Sequence, residues 1–542
     1  MTIFLCLLSA ALLAASQLTP WGFLALFGYA PLIYVTYHRQ PAKVFKIVFW
    51  TTVIQYMASL YWLIIAITVF GNLHLAIGIV ALFLVSTILA CYIAGAAMLA
   101  RYLNLHLGWS YGWLFAIALS ATEYLRNYGF IGAFPWGNAG NSLATVPVLL
   151  QGASIVGVYG MVFYIGLVGA GICALKAPAL GRSVFWAALF STLGLSTYGA
   201  WRLYNYDHFD LPAVKIALLQ GNIEQGIKNQ AALYSDEILE RYQSLQEEAV
   251  RQGAQISIWP ETAYPYRLLT EKPRLENLGP LAPINIIGTI AIDRSNQFYN
   301  SAYILKQNGE LAGHFAKSHL VPFGEYVPWP FGSVVDRLVP GLGAFGRGVN
   351  LNPIKVDGLS LAITICYEGI FPEIGREFVK NGAELLINIT NDAWYGYSAG
   401  PYQHLAMYQL RSVEVSRSYA RATNTGVSAW VDPVGYLHQS TPLYEEALVV
   451  ADVPISTETT YYLRWGDIVP QLCLLLLFIG LMIVRRPKCT ADWIAMFLGL
   501  AIILAAHVYF KPMHEAMQES ALTKETLFWF LGLLIGFRRK GH

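Results

Sequence analysis

Long hydrophobic runs lie near both ends of the chain, and a region of mixed polarity separates them. Seven runs in the first 206 residues are long enough to cross a hydrocarbon layer of ~30 Å. They lie at about 2–18, 20–37, 45–70, 73–100, 109–126, 150–175 and 183–203. One further run covers 468–484, and two candidate spans follow at 491–510 and 521–537. The pattern predicts a multi-span helical membrane domain (1–206), a second domain (207–466) and a C-terminal transmembrane region (467–542).

Basic residues follow alternate hydrophobic runs. They are Arg39, Lys43, Lys46, Arg101, Lys176, Arg182, Arg485, Arg486 and Lys488, with a last cluster at Arg538, Arg539 and Lys540. Loops rich in Lys and Arg stay on the cytoplasmic side of a membrane. These positions agree with a single topology, in which seven spans precede the second domain. We therefore expect 207–466 to lie outside the cytoplasm.

The pattern changes between 207 and 466. Apolar runs shorten to strand length, and Gly and Pro separate them. Predicted strands lie at 214–219, 256–259, 284–289, 302–305, 359–365, 385–389 and 427–431. Residues 232–252, 369–381 and 402–417 have the spacing of helices. The alternation of strands and helices predicts an α/β layered domain.

The composition supports a membrane protein and disfavours two other classes. Hydrophobic residues make up 56% of the 542 residues and charged residues 13%, whereas soluble chains average roughly 25% charged residues. Disorder is excluded, and a purely soluble enzyme is disfavoured. The 35 basic and 33 acidic residues leave a net charge of +2. A large basic surface for nucleic acid is therefore not indicated.

Cys366 is the one cysteine of six that falls in the predicted α/β domain. A lone cysteine outside the cytoplasm is either a buried, inert residue or a reactive thiol. Cys366 ends a predicted strand and precedes Tyr367, Glu368 and a predicted helix. A nucleophile at such a turn is exposed at the sheet edge, where neighbouring N–H groups can stabilise an oxyanion.

A reactive thiol needs a base and a nearby cation, because little thiolate exists at neutral pH. Glu261 follows the predicted strand at 256–259, and Lys317 precedes an apolar loop shaped by Pro and Gly. Each could equally be an ordinary surface charge. Spacing along the sequence does not bring these two segments to Cys366.

Together, these segments resemble a known family. Trp259-Pro260-Glu261, Lys317 with the following His-Leu-Val-Pro-Phe-Gly-Glu, and Ile365-Cys366-Tyr367-Glu368 resemble the Glu-Lys-Cys triad of the nitrilase superfamily. The resemblance is closer to its membrane-bound branch, the bacterial apolipoprotein N-acyltransferases. The motifs of that branch appear as Gly132-Ala133-Phe134-Pro135-Trp136, Gln220-Gly221-Asn222, Asn391-Asp392-Ala393-Trp394-Tyr395-Gly396, Gly400-Pro401-Tyr402-Gln403-His404 and Arg421-Ala422-Thr423-Asn424-Thr425-Gly426.

The resemblance implies an αββα sandwich on the periplasmic side of a bacterial inner membrane, in a multi-pass and monomeric protein. It also implies transfer of an acyl chain from a phospholipid to the N-terminal S-diacylglyceryl-cysteine of apolipoproteins, without metal or other cofactor. Glu261 would be the general base, and Cys366 would form a thioester. Lys317 and the N–H of Tyr367 would stabilise the oxyanion. The implied partners are the phospholipid donor, the lipoproteins and membrane lipid, but no nucleic acid.

Other residues acquire roles only through this resemblance. Glu325 and Glu368 would orient the lysine and shape the site, with an ordinary loop ion pair as the alternative. Asn300 would hold Glu261 or the loop backbone.

Two loops and one charged pair are further candidates. The Gly-rich segment at 340–350 and an aromatic loop carrying Trp394 and Tyr397 would control lipid entry, or else be exposed loops. Glu123 and Arg126, at the end of the fifth run, would contact the phospholipid headgroup or form a paired anchor.

The chain departs from the family pattern in two places, and other functions remain open. About 50 residues follow the usual last span, and Lys228-Asn229 stands where the family often has Trp. A membrane-tethered amidase would use the same triad. A transporter or receptor with an inactive outer domain is the non-enzymatic alternative.

Overall fold

The computed structural model describes residues 1–128, 134–206, 211–270, 273, 275–327 and 345–485. Its N-terminal part is helical. The helices are α1 Thr2–Leu18, α2 Ala25–Gly28, α3 Ala30–Thr36, α4 Pro41–Ser59, α5 Trp62–Ile65, α6 Leu75–Leu107, α7 Tyr111–Arg126, α8 Pro147–Leu150, α9 Ala153–Ala174 and α10 Arg182–Asn205. Each of the seven hydrophobic runs therefore contains helix. The candidate spans at 491–510 and 521–537 lie outside the described residues.

Among the described residues, two helices are long and apolar enough to cross a membrane unaided: Leu75–Leu107 and Ala153–Ala174. A third candidate is the pair Pro41–Ser59 and Trp62–Phe70, which is bent by 57°. Shorter apolar helices cover Thr2–Leu18, Gly22–Thr36 and Ile468–Val484. The number of spans and the three predicted regions remain predictions.

The longest helix, α6, has clear signals at both ends. The His74 ring accepts a hydrogen bond from the Ala76 N–H, which caps the first turn. The helix ends at Gly108, whose φ of 70° is left-handed, and the Gly108 N–H bonds to the Asn104 carbonyl. A glycine tolerates this conformation without steric penalty, so it stops the helix, which continues past the predicted apolar run at 73–100.

The described residues between 211 and 485 form two sheets and six helices. The strands are β1 Ala213–Gln220, β2 Ile256–Ile258, β3 Leu268–Leu269, β4 Ile284–Ile292, β5 Phe298–Lys306, β6 Leu311–Ala316, β7 Ile354–Val356, β8 Leu359–Ile365, β9 Leu385–Thr390, β10 Tyr419–Thr423, β11 Ala429–Val431, β12 Leu437–His438 and β13 Ala447–Pro454. The helices are α11 Gln225–Asn229, α12 Ser235–Arg251, α13 Pro372–Lys380, α14 Gly400–Val415, α15 Tyr461–Trp465 and α16 Ile468–Arg485.

One sheet has the order β13-β1-β2-β4-β5-β6, with β3 paired to β4, and the other has the order β12-β11-β10-β9-β8-β7. The centre of each is parallel: β1, β2 and β4 in the first, and β8, β9 and β10 in the second. Alternate residues of β1 enter different cores. Ile216 and Leu218 join the core that includes the second sheet, whereas Ala217 and Leu219 pack with α12. Helices α13 and α14 cover the second sheet, which completes the α/β layers.

The α/β domain is attached to the helical domain through buried and partly buried polar contacts. Gln403 of α14 accepts a hydrogen bond from Trp62 Nε1 at 2.9 Å and donates one to the Ser59 carbonyl at 2.9 Å. Glu414, at the far end of α14, accepts the Val158 N–H at 2.8 Å. The bend between α4 and α5 therefore lies directly beside the helix that supports the second sheet.

Candidate active site

Cys366 lies at the C-terminal end of β8, where a short 3-10 turn, Cys366–Ile370, begins. Its φ is 53°, a left-handed value that is uncommon for a residue with a side chain. Such backbone strain persists only where surrounding contacts enforce it, and it is frequent at functional sites. The side chain is buried, whereas the strand-to-turn position predicted an exposed nucleophile.

Glu261 is held by one donor on β5 and one donor just after β9. The Asn300 amide donates to Oε1 at 2.6 Å, and the Asn391 N–H donates to Oε2 at 2.8 Å. The carboxyl group is buried. Burial raises the pKa of Glu261, and nearby Lys317 opposes this shift without cancelling it. A carboxylate with a raised pKa is a stronger base than an exposed one.

Lys317 is fully buried between carboxylates. Its Nζ lies 2.8 Å from Glu325 Oε2 and 3.8 Å from Glu261 Oε1. Burial alone would lower the pKa of Lys317, but Glu325, Cys366 and Glu261 outweigh it and raise the pKa above its usual range. The side chain is therefore an ammonium ion, as an oxyanion stabiliser requires.

Glu368 joins the lysine segment to the cysteine turn. Its Oε1 accepts hydrogen bonds from the Ser318 N–H and hydroxyl, both at 2.6 Å, and from the His319 N–H at 3.0 Å. Its Oε2 accepts the Ile365 N–H at 2.8 Å. Burial raises the pKa of Glu368 to about 7, although these donors oppose the shift. One side chain thus fixes the residue before Cys366 and the residues after Lys317.

The Cys366 thiol is protonated at rest. Burial and the charge of Glu261 raise its pKa well above the usual range, and Lys317 lowers it only in part. The thiolate is the nucleophile of cysteine chemistry, so a base must take the proton as the thiol attacks. The Glu261 charge acts on this thiol, and its role as the base stays a prediction.

The aromatic loop after β9 is exposed and lies against the helical domain. Trp394 is 43% exposed and Tyr397 is 74% exposed. The Trp394 ring lies 5.7 Å from the Phe70 ring, and Tyr397 lies 4.3 Å from Tyr444. The loop therefore occupies the boundary between the two domains, and its role in lipid entry stays a prediction. Residues 341 and 343 of the Gly-rich segment lie outside the described residues.

Glu123 and Arg126 form a buried ion pair with a separation of 2.7 Å. Asn138 donates to Glu123 at 2.8 Å, and Arg126 donates to the Tyr56 hydroxyl at 3.1 Å. This is the arrangement expected of a paired anchor. Contact with a lipid headgroup stays a prediction.

Two residues of the quoted motifs reach the site without having been predicted to act there. The Trp136 ring stacks on Tyr367 at 5.5 Å and 12°, and the Asn391 N–H holds Glu261. A signal for Asn391 was available, because it follows β9, which is parallel to β8, and the C-terminal ends of parallel strands meet at one edge. No local pattern could connect Trp136 with Tyr367.

Comparison with known proteins connects this geometry to a family. The model of the apolipoprotein N-acyltransferase N-terminal domain matches residues 9–171, and the carbon-nitrogen hydrolase model matches residues 215–462. An apolipoprotein N-acyltransferase of Geobacter metallireducens is 34% identical over 491 residues, which cover 86% of this chain and 92% of that protein. This chain belongs to the apolipoprotein N-acyltransferase family.

A second relative supports this family assignment. An apolipoprotein N-acyltransferase of Bradyrhizobium diazoefficiens is 33% identical and covers 68% of this chain and 73% of its own length. Among solved structures, Saccharomyces cerevisiae Nit3 of the nitrilase superfamily is similar, with 17% identity, a TM-score of 0.36 and coverage of 49% of this chain and 94% of Nit3. The family matches confirm the predicted resemblance, the acyltransferase class and the nitrilase-like α/β domain.

Proposed function

We propose that this chain N-acylates apolipoproteins by moving an acyl chain from a phospholipid through a thioester on Cys366. The observation that carries the proposal is the buried set of Glu261, Lys317 and Cys366, which combines a base, a fixed cation and a protonated thiol. Membership of the apolipoprotein N-acyltransferase family supports the choice of acceptor. The alternative, a tethered amidase, does not require a large helical domain.

The first half-reaction acylates the cysteine. Glu261 takes the thiol proton while the sulfur attacks the carbonyl carbon of the phospholipid ester. Charge then develops on the former carbonyl oxygen, and Lys317 with the Tyr367 N–H stabilises it. The C–O bond breaks, the proton on Glu261 passes to the leaving alkoxide, and a lysophospholipid departs.

The second half-reaction transfers the acyl group. The free α-amino group of the diacylglyceryl-cysteine attacks the thioester carbon, and Glu261 takes a proton from the amine. The C–S bond breaks, and the sulfur regains a proton from Glu261. The product is an amide, and the enzyme returns to its starting state without metal or other cofactor.

The placement of the chain in a bacterial inner membrane is part of the proposal. Residues 1–206 and 467–542 would be the membrane regions of a multi-pass monomer, with residues 207–466 on the periplasmic side. Exposed Trp394 and Tyr397 would then meet the lipid interface, which such aromatic side chains favour. Reporter fusions after Asp207 and after Lys488 should report opposite sides of the membrane. Signals from the same side would refute this topology.

Intact-mass analysis tests the chemistry. Purified protein incubated with phospholipid should gain the mass of one acyl chain, and Cys366→Ser should gain none. An acyl adduct that water discharges as fast as an amine acceptor would favour a hydrolase. No adduct on folded wild-type protein, together with hydrolysis of small amides, would favour the amidase.

A further inference from the structure

A series of buried, hydrogen-bonded side chains reaches the backbone of Cys366 from behind the second sheet. The Tyr408 hydroxyl donates to the Cys366 carbonyl at 2.7 Å and lies 3.3 Å from His404 Nε2. His404 Nδ1 lies 2.9 Å from Arg421 Nη2 and 3.0 Å from Asp392 Oδ1. All four side chains are buried. The mechanism described above uses none of them.

The hydrogen bonds in this series all point in one direction, from donor to acceptor. Tyr408 has a single hydroxyl hydrogen, and its short contact with the Cys366 carbonyl, which can only accept, requires it. With its proton on Nε2, His404 donates to the Tyr408 oxygen, and its Nδ1 accepts from Arg421 Nη2. Arg421 donates to Asp392 Oδ2 at 2.7 Å with the same Nη2 that faces His404. The series of hydrogen bonds thus begins at the buried Arg421 guanidinium and ends at the Cys366 carbonyl.

The Cys366 carbonyl and the Tyr367 N–H belong to the same peptide group. A hydrogen bond accepted by the carbonyl oxygen shifts electron density toward it and makes the N–H a stronger donor. The Asn388 amide, at 3.3 Å, is a second donor to that oxygen. Two side chains therefore fix the plane of this peptide, at a residue whose φ of 53° needs support.

We propose that Tyr408, oriented by His404, is a positioning residue that aims and polarises the Tyr367 N–H toward the oxyanion of the acyl-transfer reaction. The inference rests on the proposed function, because it needs Tyr367 to be an oxyanion donor. Tyr408 acts on the Cys366 peptide and does not touch substrate. Its effect is confined to steps in which a carbonyl oxygen becomes negatively charged.

The test compares Tyr408→Phe with Tyr419→Phe in the full-length protein. Tyr419 is equally buried and packs against Tyr408 at 4.8 Å, but its hydroxyl bonds to Thr364 Oγ1 at 2.8 Å and not to the Cys366 peptide. Phe keeps the ring packing at either position. The Cys366 carbonyl would still accept from Asn388, so we expect Tyr408→Phe to fold.

Two reactions of Cys366 are measured on each variant. Acylation by phospholipid passes through an oxyanion, whereas alkylation by iodoacetamide displaces iodide without forming one. We expect Tyr408→Phe to lower the acylation rate at saturating phospholipid by about three- to tenfold, the effect of one hydrogen bond. Half-saturation by phospholipid and alkylation of the Cys366 peptide should stay within twofold of the wild type. Tyr419→Phe should change neither rate by more than twofold.

The possible outcomes separate the explanations. Equal losses in acylation and alkylation would mean that Tyr408 only supports the fold or the thiol, and would overturn the inference. An acylation rate of Tyr408→Phe equal to that of the wild type would overturn the inference as well. Failure of the wild type to form any adduct would refute the proposed function instead.

A second position provides the same test if Tyr408→Phe does not fold. His404→Gln retains an N–H donor near Nε2, whereas His404→Leu retains none. We expect the glutamine variant to acylate at least three times faster than the leucine variant, with equal alkylation rates. Equal acylation rates would contradict the inference.

Discussion

Removal of Lys317 separates the contribution of this residue to the fold from its contribution to the chemistry. In Lys317→Met, Glu325 loses an ionic partner at 2.8 Å, and Glu261 loses one at 3.8 Å. The lysine side chain is 1% exposed and Glu325 is 13% exposed, so water replaces little of the lost interaction. Breaking one partner from a buried ion pair costs about 3–5 kcal/mol. We expect a decrease of this size in the free energy of unfolding.

The double variant Lys317→Met/Glu325→Gln removes the unpaired charge on Glu325, whereas Glu261 keeps its donors Asn300 and the Asn391 N–H. Glutamine can still accept one of the hydrogen bonds that Glu325 receives from Asn300 and the Val321 N–H, so about 1 kcal/mol of the deficit should remain. The rate of acylation, unlike the stability, should not recover in the double variant. Loss of an oxyanion stabiliser lowers kcat by about 10²–10³-fold, and the double variant does not restore the cation.

The assay pairs chemical unfolding in detergent with the rate of acyl-adduct formation. The expected result is that the double variant recovers most of the stability and none of the acylation rate. Recovery of both would show that Lys317 only neutralises its neighbours, and would refute its role at the oxyanion. Glu325→Gln alone, which retains the lysine beside Glu261, is the matched control.

Three further predictions follow from the site. Burial raises the pKa of Glu368 to about 7 from 4.5, so the folded state binds the Glu368 proton more tightly than the unfolded state does. The resulting stabilisation is lost as pH rises from 4.5 to 7, and the free energy of unfolding of the wild type should therefore fall by about 3 kcal/mol more than that of Glu368→Gln over that range. An equal pH dependence of the two proteins would contradict this. Acylation should increase through an apparent pKa above 4.5, because Glu261 must be ionised; a wild-type profile without this rise would argue against Glu261 as base. Trp394→Ala with Tyr397→Ala should raise KM for vesicle phospholipid several-fold but not for a soluble short-chain ester; equal changes would argue against a role in lipid entry.

The sequence predicted those strands whose burial comes from apolar side chains. The run at 359–365 coincides with β8, and the prediction at 385–389 misses only the last residue of β9. Strand β10, Tyr419–Thr423, was not predicted because it contains Arg421, which reads as a surface charge. In the structure this arginine is buried against Asp392 at 2.7 Å. Burial of a charge through a partner 29 residues away leaves no periodic pattern in the sequence.

The site was predictable as a set of residue types and not as an arrangement. The motifs identified Glu261, Lys317 and Cys366, but only the sheet order and the Glu368 bridge bring their segments together. The run at 45–70 was predicted as one span, and the structure bends it by 57°. Hydrogen bonds from Gln403 to Ser59 and from Trp62 to Gln403 stabilise that bend. They are tertiary contacts across more than 300 residues, so no local pattern predicts them.

The most direct test of the central claim is transfer from the isolated acyl-enzyme. Wild-type protein is acylated with a phospholipid that carries a labelled chain, freed of donor, and mixed with a diacylglyceryl-cysteine peptide. A peptide with an acetylated N-terminus is the control. We expect the label to leave Cys366 and to appear as an amide on the free-amine peptide, while the acetylated peptide receives none. Label that remains on the enzyme, or that is released as free fatty acid at the same rate with either peptide, would contradict it.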